Sequence, residues 1–394
     1  MVEFDVAASS DDYLEILSLD RICQKAVPLT AIVWPSPKNL DPNEYRNDLP
    51  LILVANDEYK YKIVNYETTM TLSTVLGPRY EHPVSRMQLV TRPGEDTDYL
   101  VFATQNVIGL QKMPLDGNPW KHTALLGHPI QIIQMCFRED HGYLFTIGAK
   151  DTCVCQWSAN YRSVDSTTKL GGGDLDPYYC LVEDGRPGWL FQEIRDLFYY
   201  IQILCQGTFS PGIRQVKDYI PIDSLPDLVR ALGYFPSEYE VEDLIVEAKY
   251  KVYQRSPSTE IDFEEFVKLY LNHRPAFGEN LTRIRNAFRT FATFYQDSYV
   301  MTRDDFVDML GNYGECFSRQ LTCYLLSILS GQSVEDRTTM AEGDFSFLPE
   351  DITLGELLTN IMGIRDVDNL SEQQSIIESM VSQQTGSTVT HSDD

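Results

Sequence analysis

Apolar and polar positions alternate with a period of two through the first 160 residues, and from residue 191 onward the period shifts to about 3.6. The first stretch holds four strand–turn–strand units. Residues 6–12 precede 14–17, 51–57 precede 59–63, 99–106 precede 107–110, and 143–151 precede 153–157. Each is an apolar run, a polar turn and a second β-prone run, the signature of a hairpin. Between 158 and 190 Ser, Asp and Gly dominate, with Gly171, Gly172 and Gly173 in a row and Pro187 before Gly188. This composition predicts a linker over 161–190.

The later stretch reads as helices. Residues 191–204 carry apolar positions at helical spacing, and a helix from Leu225 stops at Gly233, which suits the left-handed stop position. Ser237 with Glu240 forms a capping box, and Val241, Leu244, Ile245 and Ala248 then make one apolar stripe. A short strand at Ile261 leads into the next helix. The succession recurs over 287–291 and 300–310, and more faintly over 352–357. With 220–224 included there are four units in two pairs, 191–276 and 277–365. The Gln/Ser/Thr-rich residues 366–394 predict a disordered tail.

The hairpin turns at 12, 57, 106 and 151 are 45, 49 and 45 residues apart. That spacing resembles the roughly 40–45 residue period of WD40 blades. In that family a His, a turn Asp, a strand hydroxyl and a Trp form one buried hydrogen-bonded network. Here His128, Thr146, Asp151 and Trp157 are the matching residues, which the resemblance makes structural, although Ser158 stands where the signature Asp is usual. The expected architecture is multidomain β + α: a partial WD40 β-propeller of about four blades over 1–160, then the two helical pairs. Such a partial ring leaves sheet edges open. Either it is a piece of a longer propeller or another chain completes it.

The helical units resemble calmodulin-like EF-hands, and their loops can be checked for calcium ligands. A working loop needs oxygens at positions 1, 3, 5, 9 and 12 and a Gly at 6. Placing Ser224, Glu265, Asp305 and Glu356 at position 12 sets the other positions. Position 1 falls on Ile213, Gln254, Phe294 and Phe345, and position 5 on Lys217, Ser258, Ser298 and Pro349. No loop has an acid at 1, 3 or 5, so no metal and no cofactor is expected. Glu265 is the best remnant ligand, and its spacing from Asp262 also fits a capping box. The expected task of these degenerate pairs is to dock protein.

Composition narrows the partners. With 32 basic and 58 acidic residues the net charge is −26. Nucleic acid, anionic membrane and acidic tubulin tails would be repelled, whereas basic partner surfaces would be attracted. The eight Cys lack CxxC spacing, which suits a reducing compartment; Cys153 and Cys155 read as packing residues. No apolar run approaches the ~18 residues of a membrane helix, and the N-terminus has no signal-peptide layout. No nucleophile elbow, HExxH, phosphate loop or dinucleotide fingerprint is present, so an enzyme is not expected.

Finer motifs add a family. Tyr199-Tyr200, residues 230–233 followed by 235–238, and above all Leu271, Asn272, His273, Arg274 and Pro275 resemble the cilia- and flagella-associated protein 251 family over about 185–365. The resemblance implies a scaffold subunit at the radial-spoke base of the axoneme in motile cilia and flagella. It implies as partners calmodulin, radial-spoke proteins and other subunits of the calmodulin- and spoke-associated complex, with the doublet microtubule contacted indirectly. The implied location is the cytoplasmic cytoskeleton of the cilium, and the implied task is regulation of motility. The alternatives are an EF-hand calcium sensor and a soluble WD40 adaptor.

Overall fold

Where side chains alternate, the chain builds antiparallel ladders; where they recur every three to four positions, it builds helices. A computed structural model describes residues 2–5, 13, 15–19, 26–34, 51–91, 98–138, 142–207, 212–250, 257–277, 281–295, 298–332 and 344–363. The architecture is mixed β and α, with open antiparallel sheets and helices. It divides into two compact units, Met1–Gly278 and Glu279–Asp394.

The first unit opens with a two-stranded pair, β1 (Val2–Asp5) and β2 (Glu15–Leu19). A four-stranded sheet follows in chain order: β3 (Pro28–Trp34), β4 (Leu51–Asn56), β5 (Lys60–Asn65) and β6 (Thr71–Leu76). The next has β7 (Arg86–Thr91), β8 (Asp98–Ala103), β9 (Val107–Lys112) and β10 (His122–Leu126). The last has β11 (Ile132–Arg138), β12 (Tyr143–Gly148) and β13 (Val154–Ser158). The turns at 57, 106 and 151 fall between paired strands, whereas the turn at 12 lies outside the described residues.

Strand β8 shows why these sheets stack. Leu100 and Phe102 enter one core with Trp34, Leu53 and Ile63. Tyr99, Val101 and Ala103 enter another with Phe137 and Leu144. A strand buried on both faces reads as an unbroken apolar run, as residues 99–103 do.

Residues 161–190, expected as a linker, are packed structure. Helix α1 (Tyr161–Leu170) is capped by Asn160 and fully buries Val164 against β-sheet residues. A 3-10 turn, Asp176–Leu181, buries Tyr178 and Leu181 in the helical core. Glycine here permits contact: a Cβ at Gly171 would lie 2.5 Å from the Trp120 ring. Composition alone cannot separate a flexible glycine from a closely packed one.

The helices of the first unit are α2 (Trp189–Cys205), α3 (Leu225–Ala231), α4 (Glu238–Tyr250) and α5 (Phe263–His273). Short strands β14 (Tyr219–Pro221) and β15 (Glu260–Asp262) pair antiparallel, with Ile220 opposite Ile261. Gly233 adopts φ +82°, and Ser237 and Glu240 exchange the two capping bonds. Ile194, Phe198, Ile220, Leu228, Leu244 and Phe266 fill one core. Sheets and first helical pair thus form one unit, in place of separate domains joined by a linker.

The second unit runs α6 (Leu281–Phe291), β16 (Thr293–Tyr295), β17 (Ser298–Thr302), α7 (Arg303–Asn312) and α8 (Arg319–Leu329). It closes with β18 (Asp351–Thr353) and α9 (Leu354–Glu356), which continues as a π-turn to Ile361. Met301 pairs with Ile352 across β17 and β18, and both are buried with Phe288, Phe306 and Leu326. The expected tail, 366–394, lies outside the described residues. No described helix is long and apolar enough to cross a membrane.

Candidate functional site

Strand β6 is the outer edge of its sheet, where unpaired N–H groups invite pairing with another chain. Here helices α4 and α5 cover that edge with side chains. The Glu247 carboxylate accepts from the Thr74 N–H and the Ser73 hydroxyl, each at 2.8 Å. The Asn272 Oδ1 accepts from the Leu76 N–H at 3.1 Å. Asn272 also donates through Nδ2 to the Asp116 carbonyl at 3.2 Å, reaching the loop before β10.

The residues 271–275 therefore converge on one joint. Leu271 is buried in the helical core. His273 Nε2 lies 2.8 Å from Glu247 Oε2, and its carbonyl accepts from Lys60 Nζ. Arg274 donates to the Leu181 carbonyl at 2.6 Å. Pro275 follows the last helical turn, where a residue without an N–H suits a helix stop. Lys62 pairs with Asp243 at 2.8 Å, and Tyr59 meets Phe277 edge-on at 4.9 Å between centroids. Gly117 sits so close that a Cβ there would lie 1.9 Å from Asn272 Oδ1. Two lysines on β5, Lys60 and Lys62, are buried at this seam; alternation alone gave no sign of that.

His128, Thr146, Asp151 and Trp157 come together at the third sheet. Trp157 Nε1 donates to Thr146 Oγ1 at 2.9 Å, and His128 Nε2 lies 2.9 Å from the same oxygen. His128 Nδ1 is 2.6 Å from Asp151 Oδ2. A carboxylate only accepts, so Nδ1 carries the proton and Nε2 accepts from the hydroxyl. The chain of donors ends on Oδ2 of the acid, while its other oxygen, Asp151 Oδ1, is buried with no hydrogen-bond partner. Gly148 leaves space for this, since a Cβ there would lie 2.4 Å from His128 Nδ1. The geometry is one of support: nothing in it presents a free nucleophile.

Two of the helix-pair loops are held by hydrogen bonds within the protein. In the first loop two glutamines four residues apart, Gln202 on α2 and Gln206 at its C-cap, grip the backbone. Gln202 accepts from the Lys217 N–H at 3.0 Å and donates to the Lys217 carbonyl at 2.7 Å. Gln206 does the same to Gln215, at 3.0 and 2.7 Å. In the third loop Phe294 and Ser298 belong to the β16–β17 hairpin, with Phe294 opposite Tyr299. Glu265 gives its N–H to Asp262 Oδ1 at 2.8 Å at the start of α5. Among the described residues no cluster of His, Cys, Asp or Glu is arranged to hold a metal. Cys153, expected to pack, is exposed, and Cys155 is half-buried.

Helix α8 turns its apolar side outward. It buries Thr322, Leu326 and Ser327, yet exposes Leu321, Tyr324, Leu325, Ile328 and Leu329 by 36–57%. Those five positions follow the i, i+3, i+4, i+7, i+8 pattern of a packed helix face.

Comparison with known proteins identifies the lineage. The family model described as the CFAP251 C-terminal domain matches residues 189–362, from α2 to the end of the described second unit. A mouse protein named cilia- and flagella-associated protein 251 is 34% identical over 392 residues, covering 95% of this chain. The chain belongs to the cilia- and flagella-associated protein 251 family. A relative of the same name from Pongo abelii is 32% identical over 92% of this chain, and one from Tetrahymena thermophila 26% over 93%. The chain spans 29%, 32% and 38% of the length of these three relatives. Among solved structures, a chain of an active polycomb repressive complex 2 in the basal state is 18% identical with a TM-score of 0.28. That likeness covers 37% of this chain and 29% of that one.

Proposed function

We propose that this chain is part of a scaffold subunit at the radial-spoke base of the axoneme, holding protein partners in motile cilia and flagella. In this reading the stacked sheets are blades of a partial WD40 propeller, and the helical units are two pairs of degenerate EF-hands. The partners are other subunits of the calmodulin- and spoke-associated complex, calmodulin and radial-spoke proteins, with the doublet microtubule contacted indirectly. The role is mechanical, a contribution to the control of bending, with no catalytic step and no cofactor. Membership of a family named for cilia and flagella supports the setting. The loops gripped by Gln202 and Gln206 or folded into a hairpin support metal independence.

The observation that carries the docking role is the outward apolar stripe of α8. Covering such a stripe with a partner helix stabilises a complex by about 25 cal/mol per Å² of apolar surface removed from water. The test is localisation of the tagged protein in ciliated cells that lack the endogenous copy. Wild type is expected to stay on detergent-extracted axonemes. Leu325→Glu with Ile328→Glu is expected to fold normally, because both sites are exposed, and to be washed away. Extraction of the wild-type protein with the soluble fraction would overturn the reading.

A further inference from the structure

Next to the joint lies a cavity of about 140 Å³, lined among others by Gly77, Arg79, Tyr80, Asn118, His122 and Leu181. It is well above the size one water needs. Among the described residues its lining contains no carboxylate, in a chain where acids outnumber bases 58 to 32.

Arg79 is partly buried and has no hydrogen-bond or ion-pair partner among the described residues. A guanidinium withdrawn from water normally meets an acid. Burial lowers its proton affinity; Cys180 raises it and Arg274 lowers it in smaller measure. Lys121, one residue before His122, is paired with Asp116 at 2.6 Å. Arg79 thus faces a cavity with uncompensated positive charge.

The other polar groups in the lining can donate. Asn118 is buried and uses Oδ1 to accept from the Trp120 N–H at 2.8 Å, which leaves its Nδ2 hydrogens available. Burial, and then Arg79, push His122 down to about 4, so its ring is neutral at pH 7 and has one N–H to give. Tyr80, its ring 5.7 Å from that of His122, adds a hydroxyl. A planar guanidinium fork with neutral donors around one cavity suits a tetrahedral oxyanion.

We propose that this cavity binds a phosphate-class oxyanion, with Arg79 as its charge partner and Asn118, His122 and Tyr80 as donors. Leu76 and Gly117 also line the cavity, and both touch Asn272. An anion there braces the same joint that closes the β6 edge.

The test uses the full chain with isotope-labelled histidine, of which it has six. Inorganic phosphate is titrated against sodium chloride of matched ionic strength, and the His122 ring resonances are followed. A saturable shift with phosphate alone is expected. Arg79→Gln should weaken it about tenfold or more, as the loss of a charge-assisted contact implies. Arg79→Lys keeps the charge, loses the fork and should bind with intermediate strength, which keeps the test informative if Arg79→Gln fails to fold. A parallel titration with O-phosphoserine separates two supporting outcomes: a shift with both ligands assigns the site to phosphate groups generally, and with the inorganic ion alone to the free anion. The proposal is overturned if phosphate gives no saturable shift, if chloride gives the same shift, or if a folded Arg79→Gln binds as wild type does.

Discussion

Glu247 on α4 and His273 at the end of α5 meet at 2.8 Å, and the same carboxylate caps two groups on the outer strand of a sheet. One acid therefore fixes the geometry between two helices and closes a sheet edge. Its partners are far apart in sequence, at Ser73, Thr74 and His273, so the contact exists only once the whole unit has assembled.

Glu247→Ala leaves the Thr74 N–H, the Ser73 hydroxyl and the His273 ring without their acceptor. The expected loss of stability is about 3 kcal/mol, since each buried polar group left unsatisfied costs about 1–3 kcal/mol. Glu247→Gln keeps the shape and should cost roughly 1 kcal/mol. Urea unfolding gives both values, and hydrogen exchange at the Thr74 amide should quicken first. An unchanged urea midpoint for Glu247→Ala would show that the cap contributes nothing.

Trp157→Phe keeps an aromatic ring, though a smaller one, and removes one donor from the His128 network, at an expected cost of about 1 kcal/mol or more. His128→Ala strips Thr146 and Asp151 together and should cost about 2–3 kcal/mol. Thermal melts of the two variants side by side test the order. Equal effects would show that losing His128 costs no more than losing the Trp157 donor, against the predicted order.

Gln202→Ala with Gln206→Ala should release the backbone at 215 and 217 while the helical core stays folded. Amide exchange there should rise more than tenfold, with little change at Phe198 or Phe266. In wild type, millimolar calcium should leave the melting midpoint where EDTA leaves it. A calcium-dependent rise would place a cation in these loops after all.

His122 makes stability depend on pH. Its folded value of about 4 lies below the model-peptide value of 6.5, so between these the unfolded chain binds more protons. The contribution is complete above about pH 6.5 and is lost progressively as pH falls toward 4. It amounts to something on the order of 2 kcal/mol. Denaturation at pH 5 and at pH 7.5 measures the difference, and His122→Asn should flatten it. The same slope in the variant would assign the effect to other groups.

Much of the local structure was legible because it rests on short-range rules. The turns at 57, 106 and 151 are where strands reverse, and Gly233 stands at φ +82°. Ser237 with Glu240, and Asp262 with Glu265, bond as their spacing implies. The linker was misread because Gly171 and the residues around it look flexible until Trp120 is seen against them. The gripping role of Gln202 and Gln206 was missed because glutamine carries no strong pattern. Two of them four apart at the end of a helix offered a faint sign, one that becomes meaningful only beside the loop segment they bond.

The sequence by itself determined the alternation that makes hairpins, the caps that start helices, and the loops without acids at the calcium positions. These depend on neighbours within a few residues. Tertiary structure alone decided that Glu247 and Asn272 close the edge of β6, that Lys60 and Lys62 are buried, and that α8 faces outward with its apolar stripe. Such features depend on which surfaces meet across 150 or more residues of chain, or on which helix face finds no neighbour. Hydrophobic pattern says that a face will be covered; only the assembled fold says by what.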